Sequence, residues 1–282
     1  MTIENLNHYN YSSCYLLINF NNIMKISDQD IVDFKKNGFL FFPKLFSKNE
    51  VKSLKSAVNR VIKIPGKNIT PEFNSDRVRM IHGAHDYDET FSILSKHPRI
   101  IEPAEQLLDD KVYMHQSRLN FNYGFGTGGF YWHQDYATWK EVDGLPEARA
   151  LMIAIFIDDV TTANGPLMFI PGSHLYGVLD DFEPVKDSTG NVLMRLSSNK
   201  LSELTSKNGI EIGTGTAGSV LIMHCNLVHG STENISAQSR TLFYANVNSV
   251  KNKQTTFARE KFHAGQDFNP IQCSEDNSLN TI

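Results

Sequence analysis

The chain has 282 residues, a formal net charge of -4, and 40% hydrophobic with 11% aromatic residues. That is enough apolar material for a sizeable core, and a slightly acidic chain without a basic run is poorly suited to nucleic acid. The three cysteines, Cys14, Cys225 and Cys273, are far apart, odd in number and without a CxxC pair, which argues against a disulfide framework or zinc knuckle and for a reducing cytoplasm.

Residues 1–23 include the apolar run CYLLINF, but lack a basic n-region and a small-residue cleavage site, and the run is too short to cross a membrane. They are expected to form a flexible extension, with Met24 an alternative start. Ser27 is placed to cap a helix carrying Ile31 and Phe34, and Ser47 with Glu50 forms a capping box. That box opens an amphipathic helix with Val51, Leu54, Val58, Val61 and Ile62 on one face, and FLFFP between the two helices reads as a short strand. From Val112 the character changes. VYMHQSRLNFN, RALMIAIFID, GPLMFIPGS, GSVLIMHC and RTLFYANVNSV are β-rich runs bounded by Gly, Pro, Asn and Asp. The pattern predicts a mainly β fold, a jelly roll flanked by N-terminal helices, as one domain over 24–268. Residues 177–208 are polar and longer than a hairpin connection, so they read as a surface insertion or a lid. The tail 269–282 has little to bury and is expected to be disordered.

Chemistry concentrates around YWHQDYATW, residues 131–139. On a β-strand His133 and Asp135 address one point while Trp132 and Gln134 face away. Two ligands do not make a metal site, so a third must come from elsewhere. GSVLIMHCNLVHGS offers His224, at the end of an apolar strand, and His229, beside Gly230 and Ser231. Arg240 follows on a strand whose Arg240, Tyr244, Asn246 and Asn248 share a face, and a planar guanidinium matches a ligand carboxylate. Gln116, Arg118 and Asn120 make a second polar strand face, as in a barrel lined for a polar ligand. YGFGTGGF has Gly124, Gly126 and Gly129 at dinucleotide-motif spacing, but leads into FYWHQD instead of a helix, so it reads as a turn.

The ordered set of HQSRLN, FYWHQDYATWKEVDGLPEARAL, NGPLMFIPGSH, GTAGSVLIMHCNLVHGSTENI and RTLFYANVNSV resembles the phytanoyl-CoA dioxygenase superfamily of iron(II)/2-oxoglutarate oxygenases, and within it the ectoine hydroxylases. The resemblance runs from about His115 to Val250. It implies a double-stranded β-helix, cupin-like core, iron(II) on His133, Asp135 and His229, and 2-oxoglutarate on Arg240 with Asn120, Phe130 and Ser231. It further implies dioxygen as co-substrate and a small-molecule substrate at Gln116, Trp139 and Tyr244. Arg118 and Lys140 are added as candidates for an anionic group. Two departures bear on the substrate: after Asp135 the chain reads YATWK where ectoine enzymes read FETWH, and His224 stands where they commonly carry Asp. The carboxylate at Asp135 favours hydroxylation over halogenation.

Three functions follow as expectations. The first is hydroxylation of a small zwitterionic specialised metabolite, such as a cylindrospermopsin-type guanidine alkaloid toxin, because Trp and Tyr at a site edge suit a delocalised cation. The second is ectoine hydroxylation, making a compatible solute. The third is a metal-binding sensor that never turns over, against which the retained Arg240 counts. The expected partner is a small molecule, with no nucleic acid or membrane, on a monomer or homodimer.

Overall fold

The computed structural model describes residues 17–18, 24–72, 75–126, 129–186 and 192–281, so most of the expected N-terminal extension, including Cys14, lies outside the described residues. A small pair, β1 (Leu17–Ile18) and β2 (Met24–Lys25), precedes α1 (Asp28–Asn37), β3 (Phe39–Phe42) and α2 (Lys48–Val61). Next come β4 (Ile69–Pro71), β5 (Val78–His82), α3 (Glu89–Ser95), α4 (Pro98–Leu108) and the long β6 (Val112–Asn122). β7 (Phe130–His133), α5 (Asp135–Asp143), β8 (Ala150–Phe156) and β9 (Leu167–Phe169) follow. Last are β10 (Phe182–Lys186), β11 (Val192–Leu196), α6 (Ser198–Asn208), β12 (Glu211–Gly213), β13 (Val220–His224), β14 (His229–Ser231) and β15 (Arg240–Ser249).

Two antiparallel sheets build the jelly roll. The larger runs β3-β13-β8-β15-β6-β5-β4 and the smaller β12-β9-β14-β7. β8 shows how its sequence, ALMIAIF, reads as an unbroken apolar run: both faces are covered. Leu151, Ile153 and Ile155 pack with Leu54, Ile100 and Phe91 of the helices, whereas Met152, Ala154 and Phe156 face Leu167 and Phe169 of the smaller sheet. Both predicted N-caps are present as capping boxes, Ser27 with Asp30 and Ser47 with Glu50, and Gly38 closes α1 at φ 82°, a left-handed conformation suited to glycine. Val51, Leu54 and Val61 of α2 are buried, as their spacing requires.

The insertion at 177–208 takes a definite form, and the tail differs from the disorder expected of it. Within 177–208 the described residues form the β10–β11 hairpin and α6, a structured insertion whose Leu196 and Leu204 are buried with Leu179. The tail after Phe268 is packed as far as it is described. The Ile271 amide donates to the Val112 carbonyl at 2.9 Å, Asp276 pairs with Arg99 at 2.6 Å, and Leu279 is 0% exposed in the helix-side core. A polar tail with two apolar anchors, Ile271 and Leu279, looks disordered by composition, because the anchors' partners lie far away in sequence. Leu279→Ala is therefore expected to destabilise the fold by about 2–4 kcal/mol through the cavity it leaves, measured by denaturant unfolding. No loss would mean that the tail's packing contributes nothing.

Candidate metal centre and substrate cavity

The His-x-Asp pair is built by a strand that becomes a helix. β7 ends at His133, Gln134 continues the extended path at φ -121° and ψ 125°, and Asp135 opens α5. The alternation that aims His133 and Asp135 together therefore holds locally. Beyond Asp135, however, the chain is helical, so Trp139 belongs to a helix face and not to a strand, as its place in YWHQDYATW had implied. Gln134 fixes the junction from behind: its amide donates to the carbonyls of Asn226 at 2.7 Å and Gly177 at 2.9 Å, and its oxygen accepts from the Leu179 amide at 2.9 Å.

His229, not His224, is the third group. β14 pairs with β7 so that His229 lies directly opposite His133, with ring centroids 4.3 Å apart. His224 packs instead beside His174 and Phe34, 5.0 and 6.3 Å away between centroids. One ligand atom from each of His133, Asp135 and His229 lies within 4.8 Å of the others, so the three could hold one metal ion.

Three features show that these groups fit a divalent cation. His133 Nδ1 lies 2.6 Å from the Tyr131 carbonyl and His229 Nδ1 lies 3.0 Å from the Leu227 carbonyl. A carbonyl only accepts, so each Nδ1 carries the proton and each Nε2 keeps its lone pair free for a metal. Burial, together with the neighbouring His133, brings the His229 pKa down to about 4 and keeps that ring neutral. Burial pushes the Asp135 carboxyl up, but the neighbouring His133 and Arg118 outweigh it and hold the group ionised, and among the described residues its buried Oδ2 has no hydrogen-bond partner.

A cavity of about 240 Å³ opens from this cluster. Of the residues assigned to cofactor or substrate from sequence, it is lined by Asn120, Phe130, Ser231 and Arg240, and by Gln116, Arg118, Trp139 and Tyr244. Arg240 is 2% exposed and donates through Nε to the Gly165 carbonyl at 2.9 Å, with no carboxylate in ion-pair range among the described residues. Burial pulls its pKa down, the direction expected of a desolvated cation. Ser231 Oγ accepts from the Phe130 amide at 3.1 Å, tying β14 to β7. Arg118 lies 3.7 Å from Asp135 Oδ2 and 4.8 Å over the Tyr244 ring, so it serves the metal cluster at least as much as a substrate.

Lys140 is the exception. It is exposed on the outer side of α5 and does not reach the cavity, because one residue beyond Trp139 a helix has turned away by about 100°. The cavity is also lined by residues that the sequence pattern does not single out: His82 at the end of β5, and Arg259 and His263 in the segment after β15. His82 and His263 meet edge to face at 4.3 Å, and burial, then the charges of His263, Arg118 and Arg259, drives the His82 pKa down to about 2. FAREKFHAG, which carries two of these residues, has no strand or helix period. Its only visible signal was the mixture of aromatic and basic residues beyond the last strand.

Comparison with known proteins agrees with this architecture. The phytanoyl-CoA dioxygenase (PhyH) family model matches residues 34–242. The ectoine dioxygenase of Streptomyces anulatus is 34% identical over 261 residues, covering 88% of each chain. The L-proline trans-4-hydroxylase of Streptomyces griseoviridis is 32% identical, covering 85% of this chain and 93% of its own. EctD from S. alaskensis, solved with 2-oxoglutarate and 5-hydroxyectoine, superposes with a TM-score of 0.78 at 30% identity, covering 88% of this chain and 87% of its own. Solved with bound Fe, it gives a TM-score of 0.77 at 32% identity over the same shares. No helix among the described residues is long and apolar enough to cross a membrane. The chain belongs to the phytanoyl-CoA dioxygenase family and is a non-haem iron(II)- and 2-oxoglutarate-dependent dioxygenase.

Proposed function

We propose that the chain, acting in the cytoplasm, hydroxylates an unactivated carbon of a small zwitterionic specialised metabolite, and that a cylindrospermopsin-type guanidine alkaloid toxin, at its last hydroxylation, is the first candidate. In this reading His133, Asp135 and His229 hold iron(II), and Arg240 takes the distal carboxylate of 2-oxoglutarate with Asn120, Phe130 and Ser231 beside it. Iron(II), 2-oxoglutarate and dioxygen together supply an oxidative decarboxylation to succinate and carbon dioxide coupled to hydroxylation of a C–H bond. The protein's own work is positioning and exclusion of water. The Tyr131 and Leu227 carbonyls orient the two imidazoles, Arg118 steadies Asp135, and Phe130, Leu167 and Trp139 wall the cavity with apolar surface.

The observation that carries the substrate class is the mixed lining of the cavity. Trp139 offers aromatic surface to a delocalised cation, whereas Arg118, which lies over the Tyr244 ring, and Arg259 supply positive charge for an anionic group such as a sulfate or carboxylate. A second reading, ectoine hydroxylation, is supported by the curated ectoine dioxygenases at 34% identity and by Gln116 and Trp139 lining the cavity. Mass spectrometry separates the two. With iron(II), 2-oxoglutarate and oxygen, the protein is offered deoxycylindrospermopsin, ectoine and L-proline in parallel. A gain of one oxygen on the alkaloid, with succinate in step, is the expected result; a gain on ectoine alone transfers the assignment, and no gain on any of them discards these substrates.

A further inference from the structure

The residues facing the cavity from the segment after β15 do not hold themselves in place. Residues 252–265 carry no regular structure beyond isolated turns, yet Arg259 and His263 reach the cavity from it. What anchors them is the far end of α5. Arg259 donates to Asp143 through Nε at 2.7 Å and also through Nη2, a two-pronged pair on a carboxylate that is 1% exposed. From the opposite side His115, itself 0% exposed, places Nε2 3.2 Å from the same carboxylate and packs edge-on against Trp139 with centroids 4.9 Å apart. The Asp143 carbonyl adds bonds from the amides of Thr255 at 3.2 Å and Thr256 at 3.0 Å.

The chain is also fitted closely at this contact. Gly144 sits at φ +66°, and a Cβ there would meet Thr255 Oγ1 at 2.3 Å. A Cβ on Gly265 would meet the Met114 carbonyl at 2.2 Å, while the Gly265 amide donates to His115 and Gln116 donates to the His263 carbonyl at 2.7 Å. Asp135, Trp139 and Asp143 stand at i, i+4 and i+8 on α5, so they share one helix face. One helix thus presents the metal-side carboxylate, the aromatic cavity wall and the anchor of the opposite wall.

We infer that Asp143 is a positioning residue that fixes the Arg259–His263 segment as the substrate-facing wall and sets it in register with the metal cluster through α5. Arg259 uses Nε and Nη2 on Asp143, which leaves Nη1 for a ligand's anionic group. This rests on the proposed hydroxylase reading for its kinetic consequence and not for its structural one. Removing the charge at Asp143 loosens the segment at Arg259, between its backbone ties at Thr255–Thr256 and at His263–Gly265, without touching His133, His229 or Arg240.

The test compares Asp143→Asn, Arg259→Gln and the double variant in the full chain. Trypsin cleavage at Lys251, Lys253, Arg259 and Lys261 is expected to accelerate at least about tenfold in Asp143→Asn, one charge-assisted bond of about 1.5–3 kcal/mol being lost. The visible absorption of the iron(II)–2-oxoglutarate complex should stay at its wild-type 2-oxoglutarate midpoint. With a substrate in hand, KM rises about tenfold or more while kcat falls less than about threefold, and the double variant is no worse than either single one. Wild-type cleavage rates, or a loss confined to kcat, would overturn the inference. If Asp143→Asn does not fold, Arg259→Gln, at the more exposed partner, carries the proteolytic readout at Lys251, Lys253 and Lys261. Absence of any hydroxylated product from wild type would sink the substrate reading alone, since proteolysis still decides the role of Asp143.

Discussion

Asp135→Ala is expected to abolish succinate formation and to lower iron content on purification, and His133→Ala and His229→Ala to do the same. The three groups come from three elements, β7 and the start of α5 on one side and β14 on the other, and converge within 4.8 Å. Asp135 contributes the only negative charge among them, and it is held ionised inside the fold, its Oδ2 facing Arg118 at 3.7 Å without a hydrogen bond among the described residues. Metal stabilisation of developing charge is worth several kcal/mol, and about 4 kcal/mol is roughly a thousandfold in rate. Turnover below about a thousandth of wild type is therefore expected, read as succinate per protein. Full activity in any one variant would remove that residue from the centre.

Arg240→Ala is expected to raise the 2-oxoglutarate requirement about a hundredfold while leaving iron binding in place. The guanidinium is buried, anchored on the Gly165 carbonyl and without a carboxylate counterpart in the described residues, so in the proposed reading a dicarboxylic acid would provide its counter-charge. Truncating one side of a buried charge pair costs about 2–5 kcal/mol, and about 2.8 kcal/mol corresponds to a hundredfold in affinity. The measurement is the concentration of 2-oxoglutarate giving half-maximal succinate release. An unchanged value would move the carboxylate partner elsewhere, with Arg118 the next candidate.

The metal cluster and the polar strand faces were legible because strands carry them. Gln116, Arg118 and Asn120 on β6 and Arg240 and Tyr244 on β15 obey the two-residue period, and β15 pairs with β6 so that Tyr244 lies opposite Arg118. His229 was distinguishable from His224 only partly, by the small residues that follow it. The structure separates them by register, since β14 sets His229 against His133. What escaped the sequence was whatever depends on long-range packing. Trp139 lies on a helix because α5 starts at Asp135, a boundary hidden by the aromatic run. Lys140 was assigned to the site by adjacency, although adjacency on a helix means a different face. Arg259 and His263 sit in an aperiodic segment whose place is fixed by Asp143, more than a hundred residues earlier. Leu279 is likewise buried only because α2 and α3 wait for it.

The most direct measurement of the central claim is the fate of isotopically heavy dioxygen. Purified protein loaded with iron(II) is incubated with 2-oxoglutarate under labelled oxygen, and the succinate is analysed by mass. The account predicts succinate carrying one heavy oxygen atom from the wild-type protein and none above background from Asp135→Ala. Wild-type protein that forms no succinate, or forms it without the label, would contradict the dioxygenase assignment and leave the His133, Asp135 and His229 cluster as a metal site with another purpose.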